Sequence, residues 1–289
     1  MPQRRSSPPP PLVQFVVHPT DFSPASERAF AHALAIALLR QTRLALLHVG
    51  TDDRAKWNEF PQVRATLERW NLLQPHSAQE DVVEELGVRV SKNLLPGRSP
   101  VDALLSYLDR EPADLLVVAT EGREGLARWV HGSVAETMAR RSKTMTLFVP
   151  NHATRGFVSP SDGSLSLSNV LVPVDRSPDP APAIAFARRV AEIGGDEGVT
   201  ITLLHVGAEN GMPHFEAAAD QRPAFARMVR EGDPVEQILA AAEEVKADLI
   251  VMPTAGHSGV FDVLRGSTTE RVLRRAPCPL LAVPAPEKG

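Results

Sequence analysis

The chain has 289 residues, 31 basic against 35 acidic side chains, a net charge of −4 and one cysteine, Cys278. That length fits two domains of ordinary size, each able to bury its own core. The mixed charge argues against a nucleic-acid or anionic-membrane partner, and a single cysteine rules out an intramolecular disulfide.

The first residues, MPQRRSSPPPPL, contain two arginines and four consecutive prolines but no apolar stretch. They read as a polyproline tail over 1–11, without the h-region of a signal peptide. No run approaches the roughly 20 apolar residues of a membrane span. A cytoplasmic protein is expected.

From residue 12 onward, short Val/Leu/Ile runs alternate with helical patterns, the signature of a parallel sheet covered on both faces. Strands are predicted at 12–17, 43–49, 88–93, 114–119 and 145–149. A second series falls at 170–174, 199–206, 225–230, 248–252 and 280–283. Ser23-Pro24 and Ser177-Pro178 each place a cap residue before a proline and predict helix starts. Ser133 with Glu136, and Ser267 with Glu270, fit the capping box. Phe30, Leu34 and Leu38 recur every fourth residue, a face packed on the sheet.

Residues 52–87 have no full counterpart in the second series. Trp57, Phe60, Val63, Leu67 and Trp70 stand there at spacings of three and four, predicting an amphipathic helix that packs on its own domain or presents a stripe to a partner. The stretch 151–168 is rich in Ser, Gly, Asn and Pro, lacks periodicity and reads as a linker. The expected organisation is therefore a tail at 1–11, a first domain at 12–150, the linker, and a second domain at 169–285.

The two series are copies of one another. Residues 113–142, ADLLVVATEGREGLARWVHGSVAETMARRS, recur without a gap at 247–276 as ADLIVMPTAGHSGVFDVLRGSTTERVLRRA, and twelve of the thirty positions are identical. VVHPTDFSP pairs with VLVPVDRSP, and LALLHVG with ITLLHVG. A repeat of this length marks a duplicated domain and excludes a short solenoid unit.

Within each copy, Gly122, nine residues and Gly132-Ser133 match Gly256, nine residues and Gly266-Ser267. Glycines allow a tight backbone approach to phosphate, and a helix opening after them offers free N–H groups to an anion. This spacing resembles the nucleotide loop of the universal stress protein family, G-x2-G-x9-G-[S/T], and the likeness extends over nearly the whole chain twice. It implies two tandem flavodoxin-like, Rossmann-like α/β domains. Each would be a five-stranded parallel sheet of order 3-2-1-4-5 with helices on both faces, and the two would pair through their fifth strands as an internal pseudo-dimer. Further homodimerisation is left open.

The resemblance also implies an adenine-nucleotide-binding stress regulator that takes ATP, with or without Mg²⁺. Asp21 and Asp175, with Val49 and Val206, would face the adenosine. Gly122, Gly132, Ser133, Gly256, Gly266 and Ser267 would bracket the phosphates. The first motif glycine is replaced by Ala119 in one copy and Pro253 in the other. Alanine resists positive φ, and proline also removes a donor. Glu121 and Glu124 add charge to the first loop, with Arg123, Arg128 and His131 to offset it. The alternative is a nucleotide-free member acting as an interaction scaffold.

No catalytic residue or metal ligand is expected. There is no Walker loop, no G-x-G-x-x-G and no Cys/His cluster with ligand spacing. Gly256-His257-Ser258-Gly259 lacks the final glycine of a nucleophile elbow, having Val260 there. His48 and His205 end apolar strands as hydrogen-bonded structural histidines, and His18 reads as part of a drifted loop.

Overall fold

The computed structural model describes residues 13–50, 57–120, 144–193, 198–215, 223–254 and 268–284. In chain order these form β1 (Phe15–Pro19), α1 (Pro24–Arg40), β2 (Arg43–Gly50), α2 (Val63–Arg69), α3 (Asp81–Glu84), β3 (Arg89–Pro96), α4 (Pro100–Arg110), β4 (Leu115–Thr120) and β5 (Met145–Pro150). The second half follows with β6 (Asn169–Pro173), α5 (Ala181–Ile193), β7 (Thr200–Val206), a 3-10 turn (Glu209–Gly211), β8 (Ala224–Arg230), α6 (Pro234–Glu244), β9 (Leu249–Thr254), α7 (Thr268–Leu273) and β10 (Leu280–Pro284).

All ten strands make one sheet of order β3-β2-β1-β4-β5-β10-β9-β6-β7-β8. Each half is parallel within itself and has the order 3-2-1-4-5. The halves meet through one antiparallel pair, with Leu281 opposite Leu147 and Leu280 opposite Phe148. Side chains of successive strand residues point to opposite faces, so the sheet divides the interior into two cores. One lies under α1 and α5, the other under α4, α6 and α7.

Helix α1 lies close to the sheet because Ala29, Ala33 and Ala37 are fully buried beside Phe30 and Leu34. It starts at Pro24 as expected, but Ser23 makes no side-chain cap. Its hydroxyl instead donates to Asp21 Oδ1 at 2.6 Å. In the second half the helix starts at Ala181, later than Ser177-Pro178 suggested, and Asp179 Oδ1 accepts from the Ala181 N–H at 3.0 Å. Helices α4 and α6 are capped at matched positions by Ser99 and Asp233, each ahead of a proline.

At the opposite end of the sheet the repeat carries a pair of latches. Asp114 Oδ2 accepts from the N–H groups of Gln14 and Phe15 at 2.8 and 3.0 Å. Asp248 Oδ2 accepts from Ser168 and Asn169 at 2.8 and 2.9 Å. Each aspartate thus ties the start of β4 or β9 to the start of β1 or β6. The repeated Ala-Asp pair was the available signal for this role.

The insertion differs from its expected form. Only Val63–Arg69 is helical at the predicted stripe, since Pro61 lacks an N–H and leaves Phe60 ahead of the helix start. Trp70 is buried, whereas Trp57 is 51% exposed and contributes little to the core. A second short helix is Asp81–Glu84. The segment 151–168 folds back as a bridge between Val158 and Leu165, with Phe157 and Val158 buried. Trp70 Nε1 donates to Pro160 O at 3.1 Å. Its ring crosses Gly163, where a Cβ would stand 2.4 Å away and φ is +70°, so glycine is required there. Arg155 reaches the other side, donating to Ala247 O and to Glu243.

Cys278 is buried, and burial pushes its thiol up to about 12, which suits a packing role. No helix of the described residues is long and apolar enough to cross a membrane.

Candidate nucleotide site

In an open parallel sheet, ligands bind beyond the carboxyl ends of the strands where the strand order reverses. Here β1 and β4 share only the pairs Val16–Leu115 and Val17–Leu116, although β4 continues to Thr120. Likewise β6 and β9 share only Val170–Leu249 and Leu171–Ile250, although β9 continues to Thr254. In each half the two strands part toward their carboxyl ends and leave a crevice at the switch point.

The structure brings Asp21, Val49 and Ala119 to this edge in the first half, and Asp175 and Val206 in the second. Gly122, Gly132, Ser133, Gly256, Gly266 and Ser267 lie outside the described residues.

Asp21 follows β1 and is solvent-exposed. Partial burial works to raise its pKa, but hydrogen bonds from the Ser23 hydroxyl, the Ser26 hydroxyl and the Ser23 N–H together hold the carboxyl below its ordinary value. The turn is shaped by Phe22 at φ 64°. Its N–H donates to Thr20 Oγ1, and the Thr20 N–H donates to Leu47 O.

His48 and His205 act as matched braces at the ends of β2 and β7. His48 Nδ1 bonds Thr20 O at 2.8 Å, and His205 Nδ1 bonds Val174 O at 3.1 Å. Each ties a β2-type strand to the loop that carries the site aspartate.

The surroundings of these braces differ between halves. Phe22 stacks on His48 with ring centroids 4.0 Å apart, and Phe60 packs edge-on against Phe22 at 5.2 Å. Phe60 is 1% exposed, and Trp57 stacks over it. The insertion thus covers the β1–β2 end of the first half with its own aromatic cluster. In the second half Arg176 replaces Phe22, and its guanidinium reaches Asn210 O at 3.0 Å. Asp175 stays exposed there, its Oδ1 accepting only the neighbouring Arg176 N–H among the described residues.

His18 is not in a drifted loop. It is a fully buried residue of β1 whose Nδ1 meets Val117 O of β4 at 2.8 Å, bridging the strands as they part. Its Nε2 has no partner among the described residues. Burial dominates and lowers its pKa to about 4, against the opposing hydrogen bond to Val117 and the charge of Asp21. His32, on α1, has Nδ1 on Arg28 O and its ring edge-on to Phe157. Burial lowers it to about 4 as well, the carbonyl bond opposing and the Arg28 charge assisting. The matched positions in the second copy are Val172 and Phe186. An imidazole on an apolar strand face gave no sign of this bridging role beyond its mismatch with Val172.

Among the described residues no cluster of His, Cys, Asp or Glu could hold a metal ion. Among the described residues the edge offers a carboxylate, aliphatic surface and backbone groups.

The universal stress protein family model matches residues 14–150 and 214–284. A universal stress protein of Thermus aquaticus is 33% identical over 135 residues, covering 39% of this chain and 96% of that protein. One from Mycobacterium tuberculosis is 24% identical over 298 residues, covering 92% of this chain and 95% of that protein. Among solved structures, a universal stress protein from Archaeoglobus fulgidus matches with a TM-score of 0.61 at 20% identity, covering 95% of this chain and 99% of that one. The second match of the family model begins after β7, and the sheet supplies the missing β6 and β7 in the same order as β1 and β2.

Proposed function

The chain belongs to the universal stress protein family as a tandem member, and on that footing we propose that it binds an adenine nucleotide, with the second half as the principal site. The observation that carries this reading is the parting of β6 from β9 beyond Leu171 and Ile250, with Asp175 exposed at the same edge and no aromatic cluster over it among the described residues. The adenosine would lie against Asp175 and Val206, and the phosphates would reach toward Gly256, Gly266 and Ser267. Mg²⁺, where present, would travel with the phosphates. The first half fits the base less well, because Phe22 and Phe60 fill the corresponding edge of Asp21 and Val49.

The carboxylate of Asp175 can accept from a ribose hydroxyl or an amino group, and the aliphatic strand ends can pack on the base. A second reading, the nucleotide-free scaffold, is favoured by Pro253, which cannot donate where the motif has glycine.

Calorimetry with ATP, with and without Mg²⁺, separates the two. One site is expected, removed by Gly266→Asp and unaffected by Gly132→Asp. Pro253→Gly should tighten binding about tenfold, since a restored hydrogen bond to a charged group contributes roughly 1.5–3 kcal/mol. No heat at millimolar ATP, and no nucleotide released from the purified protein by mass spectrometry, would overturn nucleotide binding in favour of the scaffold.

A further inference from the structure

Away from the crevice, an apolar pocket of about 80 Å³ lies on the α1–α5 face of the sheet. Its walls come in matched pairs from the two copies: Ile36 with Val190, Leu115 with Leu249, and Leu147 with Leu281. The pocket therefore straddles the pseudo-twofold axis. Leu115 and Leu249 are the first residues of β4 and β9. The pocket is thus at the end of those strands opposite to the nucleotide crevice.

The symmetry breaks at the mouth. The segment 151–168 lays Phe157 and Leu165 across one side, and Arg40, at the end of α1, contributes the one polar side chain of the lining among the described residues. The second copy has Gly194 at the matching position. Arg40 Nε is buried without a hydrogen-bond partner among the described residues, while the side chain as a whole stays half-exposed. A buried donor with no acceptor is costly and uncommon in a native fold. Leu39 and Leu165 are 40% and 38% exposed beside it, extending the apolar track outward.

We propose that this pocket binds an alkyl chain with a carboxylate head, a medium-chain fatty acid. The chain end enters the dry pocket between the paired aliphatic walls. Its outer methylenes lie along Leu39 and Leu165. The carboxylate accepts from the outward guanidinium N–H groups of Arg40, a paired geometry that arginine offers a carboxylate. The enclosed space is small beside the roughly 150 Å³ cavity that admits benzene, which favours a slender chain over a ring system.

The test is calorimetric titration of the full chain with decanoate, with decanol and decylamine as head-group controls, with and without ATP. Decanoate is expected to bind at one site, at least about tenfold more tightly than either control, and equally in both conditions. Arg40→Gln should lower decanoate affinity about tenfold and leave decanol unchanged. Val190→Trp and Ile36→Trp fill the pocket from opposite helices, and each should abolish binding in protein that melts cooperatively. Absence of saturable decanoate binding would overturn the proposal. So would equal affinity for decanol, or unchanged binding in a folded filling variant. If neither filling variant folds, the wild type and Arg40→Gln still decide it through the acid-to-alcohol ratio.

Discussion

The two halves share one strand order, one set of latches and one pair of histidine braces, yet they differ where a ligand would enter. The first half has Phe22, Phe60 and Trp57 over its β1–β2 edge and His18 across its diverging strands. The second half has Arg176, an exposed Asp175 and Val172 in the corresponding places. Residues that close the sheet against itself are constrained by packing in both copies. Residues at the carboxyl edge beyond the histidine braces carry fewer shared packing contacts, so duplication leaves the two copies free to diverge there.

The largest expected effect comes from removing what only the first half has. Trp70→Ala should destabilise the protein by about 3–5 kcal/mol in urea unfolding, as large-to-small core substitutions of aromatic residues do. It would also strip the ring from Gly163 and leave Pro160 O without its donor. A loss below about 1 kcal/mol would mean that the insertion and the segment 151–168 are not packed together.

Acid should next expose the same asymmetry. His18 and His32 have folded pKa values of about 4 against an ordinary 6.5. Between those values the unfolded chain takes up protons that the folded chain refuses, so stability falls as pH drops from about 6.5 toward 4. Each histidine should contribute on the order of 2–3 kcal/mol to that fall. His18→Val with His32→Phe, the residues of the second copy, should flatten the profile. An unchanged slope would show that other groups carry it.

A smaller effect should blur the functional difference. Phe60→Ala uncovers the first edge, and a second ATP is expected to bind with at least about tenfold gain in affinity there, roughly 1.4 kcal/mol. Stoichiometry that stays at one would place the obstacle elsewhere, with Ala119 or Glu121 as the next residues to change. Smallest of all, Arg155→Ala should cost about 1 kcal/mol, since its pairing with Glu243 is half-screened by solvent and mainly its carbonyl bonds are lost.

Much of this was legible in the residues. The repeat and the short Val/Leu/Ile runs predict two five-stranded halves, because fully buried parallel strands need apolar side chains on both faces. Glycine spacing points to the carboxyl edge, although the loops that hold those glycines are outside the described residues. The covered first edge was not legible. Phe60 and Trp57 sit in a segment with no counterpart to compare, and only tertiary packing carries them to Phe22 and His48. The same holds for 151–168, where Ser, Gly and Pro set a loop composition while two apolar residues, Phe157 and Val158, anchor it. His18 shows a third limit, since one imidazole in a strand does not reveal whether its partner is the next strand or solvent.

The antiparallel seam between Leu280 and Phe148 has a consequence for how the protein behaves at low abundance. Two separate chains joined along such an edge would come apart on dilution, because their pairing follows mass action. Here both partners belong to one chain, tethered through 151–168, so each meets the other at a fixed effective concentration. The seam also uses up the inner edges of both halves, leaving β3 and β8 as the outer strands of the sheet among the described residues. Those strands carry Arg89 and Lys92, and Arg227 and Arg230, charges that discourage a further strand from adding. The pairing of the two halves is therefore insensitive to how many other copies of the chain surround it.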